Sequence, residues 1–111
     1  EDLLKLGPIL ENHAYFPNRT NVQLAVPTGP KELFILIWER GAGETQASGS
    51  SSCAAASAAV RLGLVKSPVR VKMPGGQLNI EVAQDVSLTM KGPVAEVARG
   101  SLSPPFVRSL R

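Results

Sequence analysis

Residues 50–62, Ser-Ser-Ser-Cys-Ala-Ala-Ala-Ser-Ala-Ala-Val-Arg-Leu, constrain the fold of this chain more than any other stretch. Their composition predicts a helix that is small and apolar nearly all round, with Gly63 placed as its C′ residue. Such a helix belongs at the centre of a domain, where alanine lets neighbouring elements approach closely. Upstream, Glu39-Arg40-Gly41-Ala42-Gly43-Glu44-Thr45 reads as a strand end running into a glycine-rich loop. The helix start therefore places unpaired backbone N–H groups and a helix dipole next to residue 48, which is a serine. A carboxylate can dock on such N–H groups, and a thiol there would have its pKa lowered.

The remaining segments are mostly strands. Leu3, Leu4, Leu6, Ile9 and Leu10 predict a short amphipathic helix whose length Pro8 limits. Val22, Leu24 and Val26 alternate with polar or small residues, as in a half-buried strand, and Pro27-Thr28-Gly29-Pro30 turns the chain. Glu32–Glu39 is apolar on both faces, the pattern of a central strand covered on each side. The economical pairing of these two strands is a hairpin. Further strands are expected at Val69–Met73, Gln77–Val82, Val86–Met90 and Val94–Arg99, with Leu78, Ile80 and Val82 on one face and Asn79 and Glu81 on the other. The expected fold class is α+β: a curled, mostly antiparallel sheet or barrel wrapped around one central buried helix. Residues 1–100 form the domain, and 101–111, with Pro104-Pro105 and little pattern, form a flexible basic tail.

Composition removes several function classes. A chain of 111 residues with 43% hydrophobic and only 5% aromatic residues is one domain with an aliphatic core. Its net charge of +3 is modest, and three of its twelve basic residues (Arg99, Arg108 and Arg111) crowd the C-terminus. No basic stripe interleaved with aromatics exists, so no nucleic-acid partner is expected. The longest apolar run, Leu33–Trp38, is too short to cross a membrane, and no secretory signal is visible. The single Cys53 fits a reducing compartment, so a cytoplasmic location is expected. One cysteine and one histidine, forty residues apart, make no metal site. No Gly-Lys-Ser/Thr follows the glycine-rich loop, and no Gly-x-Ser-x-Gly elbow surrounds Ser48. His13 reads as a helix-end or surface residue.

Three segments carry a family likeness. Leu6-Gly7-Pro8 leads to Phe16-Pro17-Asn18-Arg19-Thr20-Asn21-Val22; Glu39–Thr45 forms the loop above; Pro74-Gly75-Gly76-x-Leu78-x-Ile80 and Met90-x-Gly92-Pro93 follow. In type and spacing these resemble the C-terminal half of the diaminopimelate epimerase family, within the cofactor-independent amino-acid racemases and epimerases. The resemblance implies two similar halves, each a curled sheet around a central helix, with the active site between them and no cofactor. It implies one cysteine from each half on opposite faces of the substrate α-carbon, one removing the proton as thiolate and the other returning a proton. By the same analogy Asn21, Glu39 and Arg40 hold the distal end of a small amino-acid substrate, and the backbone around Gly49 and Ser50 holds the α-carboxylate. The residue types suit that chemistry. A weakly acidic α-proton needs a positioned base and donors for the developing carboxylate charge, and an arginine can grip a second carboxylate bidentately.

Two departures stand out. Where the family has Ala-Cys-Gly-x-Gly-Ala-Cys-Ala, this chain has Ala47-Ser48-Gly49-Ser50-Ser51-Ser52-Cys53-Ala54, so Ser48 occupies the catalytic cysteine's position. Cys53 aligns with the second, non-catalytic cysteine and reads as a small buried hydrophobe. The family's N-terminal half is also absent, so the isolated chain is expected to be inactive and to need that half as a partner, with exposed edges that favour a homodimer. The competing expectation is a non-catalytic domain that keeps the carboxylate cradle but has lost its base.

Overall fold

Val22–Gly29 (β1) and Glu32–Glu39 (β2) pair antiparallel, with Val22 opposite Trp38 and Leu24 opposite Leu36. This is the hairpin expected from the sequence, seen here in a computed structural model that describes all 111 residues. Strand side chains alternate between faces, so Leu33, Ile35 and Ile37 point together into the core and are fully buried. The opposite face of β2 differs from the expectation: Phe34, Leu36 and Trp38 are only half-buried. One face of the strand is sealed by a helix, and the other is covered chiefly where Trp38 meets the N-terminal helix.

The far edge of β2 is shared. Its first residues pair in parallel with Val69–Met73 (β4), and its last three pair antiparallel with Gly43–Thr45 (β3). β3 lies inside the predicted glycine-rich loop, as a strand only three residues long. Gly76–Val82 (β5) and Leu88–Lys91 (β6) continue the sheet in the order β1-β2-β4-β5-β6, with β3 beside β2. All neighbours but β2 and β4 are antiparallel. The α+β class and the curled sheet match the expectation; the sheet does not close into a barrel, since β1 and β6 remain free edges. β6 begins at Leu88 rather than Val86, because Asp85 Oδ1 accepts from the Ser87 N–H and hydroxyl and prolongs the turn, with Val86 at φ 62°.

Gly49–Arg61 (α2) lies on the sheet face formed by Leu33, Ile35, Ile37, Val69, Val71 and Ile80. Ser48 caps its start, its Oγ accepting from Ser51 N, and Gly63 at φ 73° stands just past its end, where only glycine is unstrained. Ala55, Ala56 and Ala59 are buried against the sheet with Ser51 and Ser52, whereas Ala54 and Ala58 are exposed. The helix is thus buried on one side, not all round. An apolar groove of about 190 Å³ runs between its outer alanines and β1.

Asp2–Glu11 (α1) continues three residues past Pro8. Its buried face is Leu3, Gly7 and Glu11; of the apolar residues that predicted the helix only Leu3 is buried, with Leu4 57% and Ile9 63% exposed. The Trp38 ring decides this. It packs so closely on the helix backbone that a Cβ at Gly7 would lie 2.5 Å from Trp38 Cδ2, and its indole N–H reaches Glu11.

After β6 the chain leaves the sheet. The predicted strand Val94–Arg99 does not form: residues 92–103 have no regular structure, and Val94 and Val97 are 98% and 95% exposed. Its two valines, three residues apart, make no single strand face, no partner edge is offered, and a local ion pair joins Glu96 to Arg99. The stretch expected to fray carries Pro104–Ser109 (α3), with prolines at its first positions, where a missing N–H costs nothing. No residue of α3 is buried.

The α1–Trp38 contact makes a signed prediction. Glycine to alanine inside a helix ordinarily gains about 0.5–1 kcal/mol, whereas overpacking costs about 1–3 kcal/mol. Gly7→Ala should therefore lower the unfolding free energy in urea denaturation; a stabilised variant would mean that Trp38 does not sit on this helix.

Candidate active site

Ser48 is extended (φ −157°, ψ 125°) and leads directly into α2. Its Oγ accepts from Ser51 N at 3.2 Å and lies 3.3 Å from Ser50 Oγ. The Gly49 and Ser50 N–H groups precede the first intrahelical bond, from Ser52 N to Ser48 O, and so point outward as at any helix start. Gly49 borders a cavity of about 260 Å³ whose walls also include Ser48, Gly75, Gly76, Gln77 and Pro93. Two of those glycines sit close to neighbours, Gly49 against the flexible end of a methionine side chain and Gly75 against fixed backbone. A Cβ at Gly49 would come within 2.9 Å of Met90 Sδ, and one at Gly75 within 2.9 Å of Gln46 O. Gly75 N also donates to Gln46 O at 2.7 Å, tying the β4–β5 turn to the segment that enters the helix.

The end of β2 meets the first turn of α2 through Ser51. Glu39 Oε1 accepts from Ser51 Oγ at 3.4 Å, and Ser51 Oγ accepts in turn from Gln23 Nε2 at 3.0 Å. Ser51 is fully buried, so it joins the Glu39 carboxylate to the Ser48 cap through one residue. The next residue turns away from the core. Arg40 N donates to Asn21 Oδ1 at 2.8 Å, and Arg40 Nη1 donates to Asn18 O at 3.1 Å. The structure thus gathers the sequence-derived residues into two groups, Ser48 with Gly49, Ser50 and Glu39, and Arg40 with Asn21. Asn21 uses its side-chain oxygen on the Arg40 backbone, an arrangement the sequence did not reveal.

Two supporting residues were not singled out from the sequence. The bond from Ser51 to Glu39 follows only from the approach of β2 to the first turn of α2. Glu11 was passed over although its spacing from Leu3 and Gly7 put it on one helix face. Cys53 is half-buried, and burial pushes its thiol pKa up, which matches a packing role. The largest cavity, about 590 Å³, lies elsewhere, on the outer sheet face among Lys31, Glu32, Arg70, Glu81 and Lys91. There Glu32 already neutralises Lys72 at 3.2 Å and Arg70 at 3.7 Å. No group of three or more His, Cys, Asp or Glu side chains is placed to hold a metal. No helix is long and apolar enough to cross a membrane.

A helix N-terminus opening on a glycine-walled cavity, joined through Ser51 to a Glu–Arg strand end, is the kind of site that accepts a small charged ligand such as an amino acid. The sequence model of the diaminopimelate epimerase family matches residues 1–97, and the chain belongs to that family. It is 50% identical over 97 residues to diaminopimelate epimerase 2 of Nostoc sp., covering 87% of this chain and 34% of that protein. Similarity extends to the diaminopimelate epimerases of Methylorubrum populi (43% over 109 residues, 98% of this chain and 37% of that one) and Ectopseudomonas mendocina (48% over 98 residues, 87% and 36%). The chain spans about a third of the length of these curated relatives.

The helix start and the buried Cys53 set up an internal comparison. In a Ser48→Cys variant the new thiol should be alkylated by iodoacetamide at pH 7 at least about tenfold faster than Cys53, since a helix N-terminus lowers a thiol pKa. Mass-spectrometric time courses resolve the two sites. Equal rates would show that the N-terminus of α2 does not stabilise an anion at residue 48.

Proposed function

We propose that this chain is one side of a pyridoxal-independent epimerase that interconverts LL- and meso-diaminopimelate in lysine biosynthesis in the cytoplasm, without a cofactor. The observation that carries the reading is the junction at Ser51, which holds the Ser48 helix start beside Glu39. In this reading the α-carboxylate accepts from the Gly49 and Ser50 N–H groups, where negative charge grows as the α-proton leaves. Glu39 takes the distal ammonium group and Arg40 the distal carboxylate, with Asn21 holding the Arg40 backbone. A second wall, from the part of the relatives' length that lies outside this chain, supplies the opposite face of the α-carbon.

Residue 48 sets the chemistry. A serine hydroxyl is far less acidic than a thiol, so Ser48 is a poor general base near neutral pH. Its Oγ is moreover occupied as the helix cap, which supports a second reading: an amino-acid-binding domain that keeps the carboxylate cradle and has no base.

Proton exchange separates the two. The 111-residue chain alone should show no turnover of diaminopimelate and no incorporation of deuterium from D₂O at its α-position. Joined to the rest of a family member's polypeptide, the Ser48→Cys variant should incorporate deuterium while the serine form stays at least about a hundredfold slower, the scale of a lost acid–base group. Turnover by the isolated serine chain would refute the half-site reading. Binding without exchange in both joined forms would establish the binding domain.

A further inference from the structure

Glu11 is the only charged residue buried in the chain, 6% exposed. Burying a carboxylate is costly unless its oxygens are fully engaged, and those of Glu11 are. Oε2 accepts from Trp38 Nε1 at 2.7 Å; Oε1 accepts from Gly41 N at 2.8 Å and from Arg19 Nη1 at 3.2 Å. The three donors come from the end of β2, from the loop after it and from the α1–β1 connection. Trp38 and Gly41 bracket Glu39 and Arg40, so one carboxylate holds a side chain before that pair and the backbone after it.

The surrounding geometry points the same way. Gly41 takes φ 78° and Arg19 φ 61°, left-handed conformations that bring the loop and the connection together. Asn18 O and Asn21 Oδ1, on either side of Arg19, hold the Arg40 guanidinium and backbone. A carboxylate needed only to fasten α1 would have sufficed with the indole; the bonds to Gly41 and Arg19 reach past the helix contact into the loop.

We propose that Glu11 is a positioning residue which, as a carboxylate, locks Trp38, Gly41 and Arg19 into one arrangement and so fixes where Arg40 meets the distal end of the substrate. The clamp stands on the hydrogen bonds alone; what Arg40 grips rests on the epimerase reading. The Trp38 indole bond, then the Gly41 N–H bond, hold the Glu11 carboxyl below the usual glutamate range, helped by the charges of Arg19 and Arg40 and opposed by burial. These two arginines are the charged groups that face it. Because the folded-state value is lowered, the clamp is intact above the ordinary glutamate range and is lost as pH falls through the depressed value.

The test uses the ¹³C,¹⁵N-labelled 111-residue chain and its Glu11→Gln variant, followed by NMR across pH and on addition of diaminopimelate or alanine. In the wild type the Gly41 amide and Trp38 indole N–H signals should shift together, through one midpoint below the usual glutamate range, in step with the Glu11 carboxyl carbon. Glu11→Gln should abolish that shared titration and weaken diaminopimelate binding about tenfold, while leaving alanine, which has no distal end, unchanged. Independent titration of the two N–H groups in the wild type overturns the clamp, and needs no variant to fold. Equal weakening for both ligands, or none for either, overturns the positioning role. A wild type that binds alanine but not diaminopimelate overturns the reading of Arg40 as a distal grip, while the shared titration decides the clamp separately.

Discussion

The close contact between α2 and the inner face of β2 is the constraint on which the rest depends. Leu33, Ile35 and Ile37 are sealed by Ala55, Ala56 and Ala59, and burying each large side chain is worth about 1.5–3 kcal/mol. A helix of leucines would stand further from the sheet. With alanine and serine on its buried face, α2 comes close enough for Ser51 Oγ to reach Glu39, and for Ser52 Oγ to settle 3.5 Å from Met73 Sδ. The apolar packing is therefore also what brings a helix start and a strand end within hydrogen-bond reach of each other. Stability and site geometry share the same residues.

That arrangement divides the work between two supports. Inside the sheet, Gln23, Ser51 and Glu39 form a chain of hydrogen bonds that holds the Glu39 carboxylate against the helix. Outside it, Glu11 and the Asn18–Asn21 segment hold the loop that carries Arg40. Residues 39 and 40 are adjacent in sequence yet secured by different parts of the fold. In the proposed function this lets one dipeptide present opposite charges in fixed directions, as a zwitterionic distal end requires.

The elements readable from sequence are those whose cause is local. The β1–β2 hairpin, Gly63 past the helix end and the alternation of Leu78, Ile80 and Val82 each act within a few residues, and each appears in the structure, although β1 runs on through Pro27–Gly29 and the turn falls at Pro30 and Lys31. Two misreadings have tertiary causes. The leucines of α1 form the better apolar face by composition, but the space at Gly7 admits the Trp38 ring and a glutamate goes inside instead. Val94–Arg99 was expected as a strand, yet Val94 and Val97, three residues apart, share no strand face, and nothing in the segment supplies an edge to pair with. The candidate site was legible at Ser48, Glu39 and Arg40 through the family likeness. Its supports, Ser51 and Glu11, were hidden because a serine in a first turn reads as a cap and a glutamate at a helix end reads as solvated.

The central claim is that the helix start and the Glu39–Arg40 strand end are two ends of one binding site. The most direct measurement is a crystal structure of the chain with diaminopimelate bound. The account predicts one carboxylate on the Gly49 and Ser50 N–H groups and the distal ammonium and carboxylate at Glu39 and Arg40. A ligand seated instead in the outer cavity among Lys31, Arg70 and Lys91, with Ser48 untouched, would contradict it.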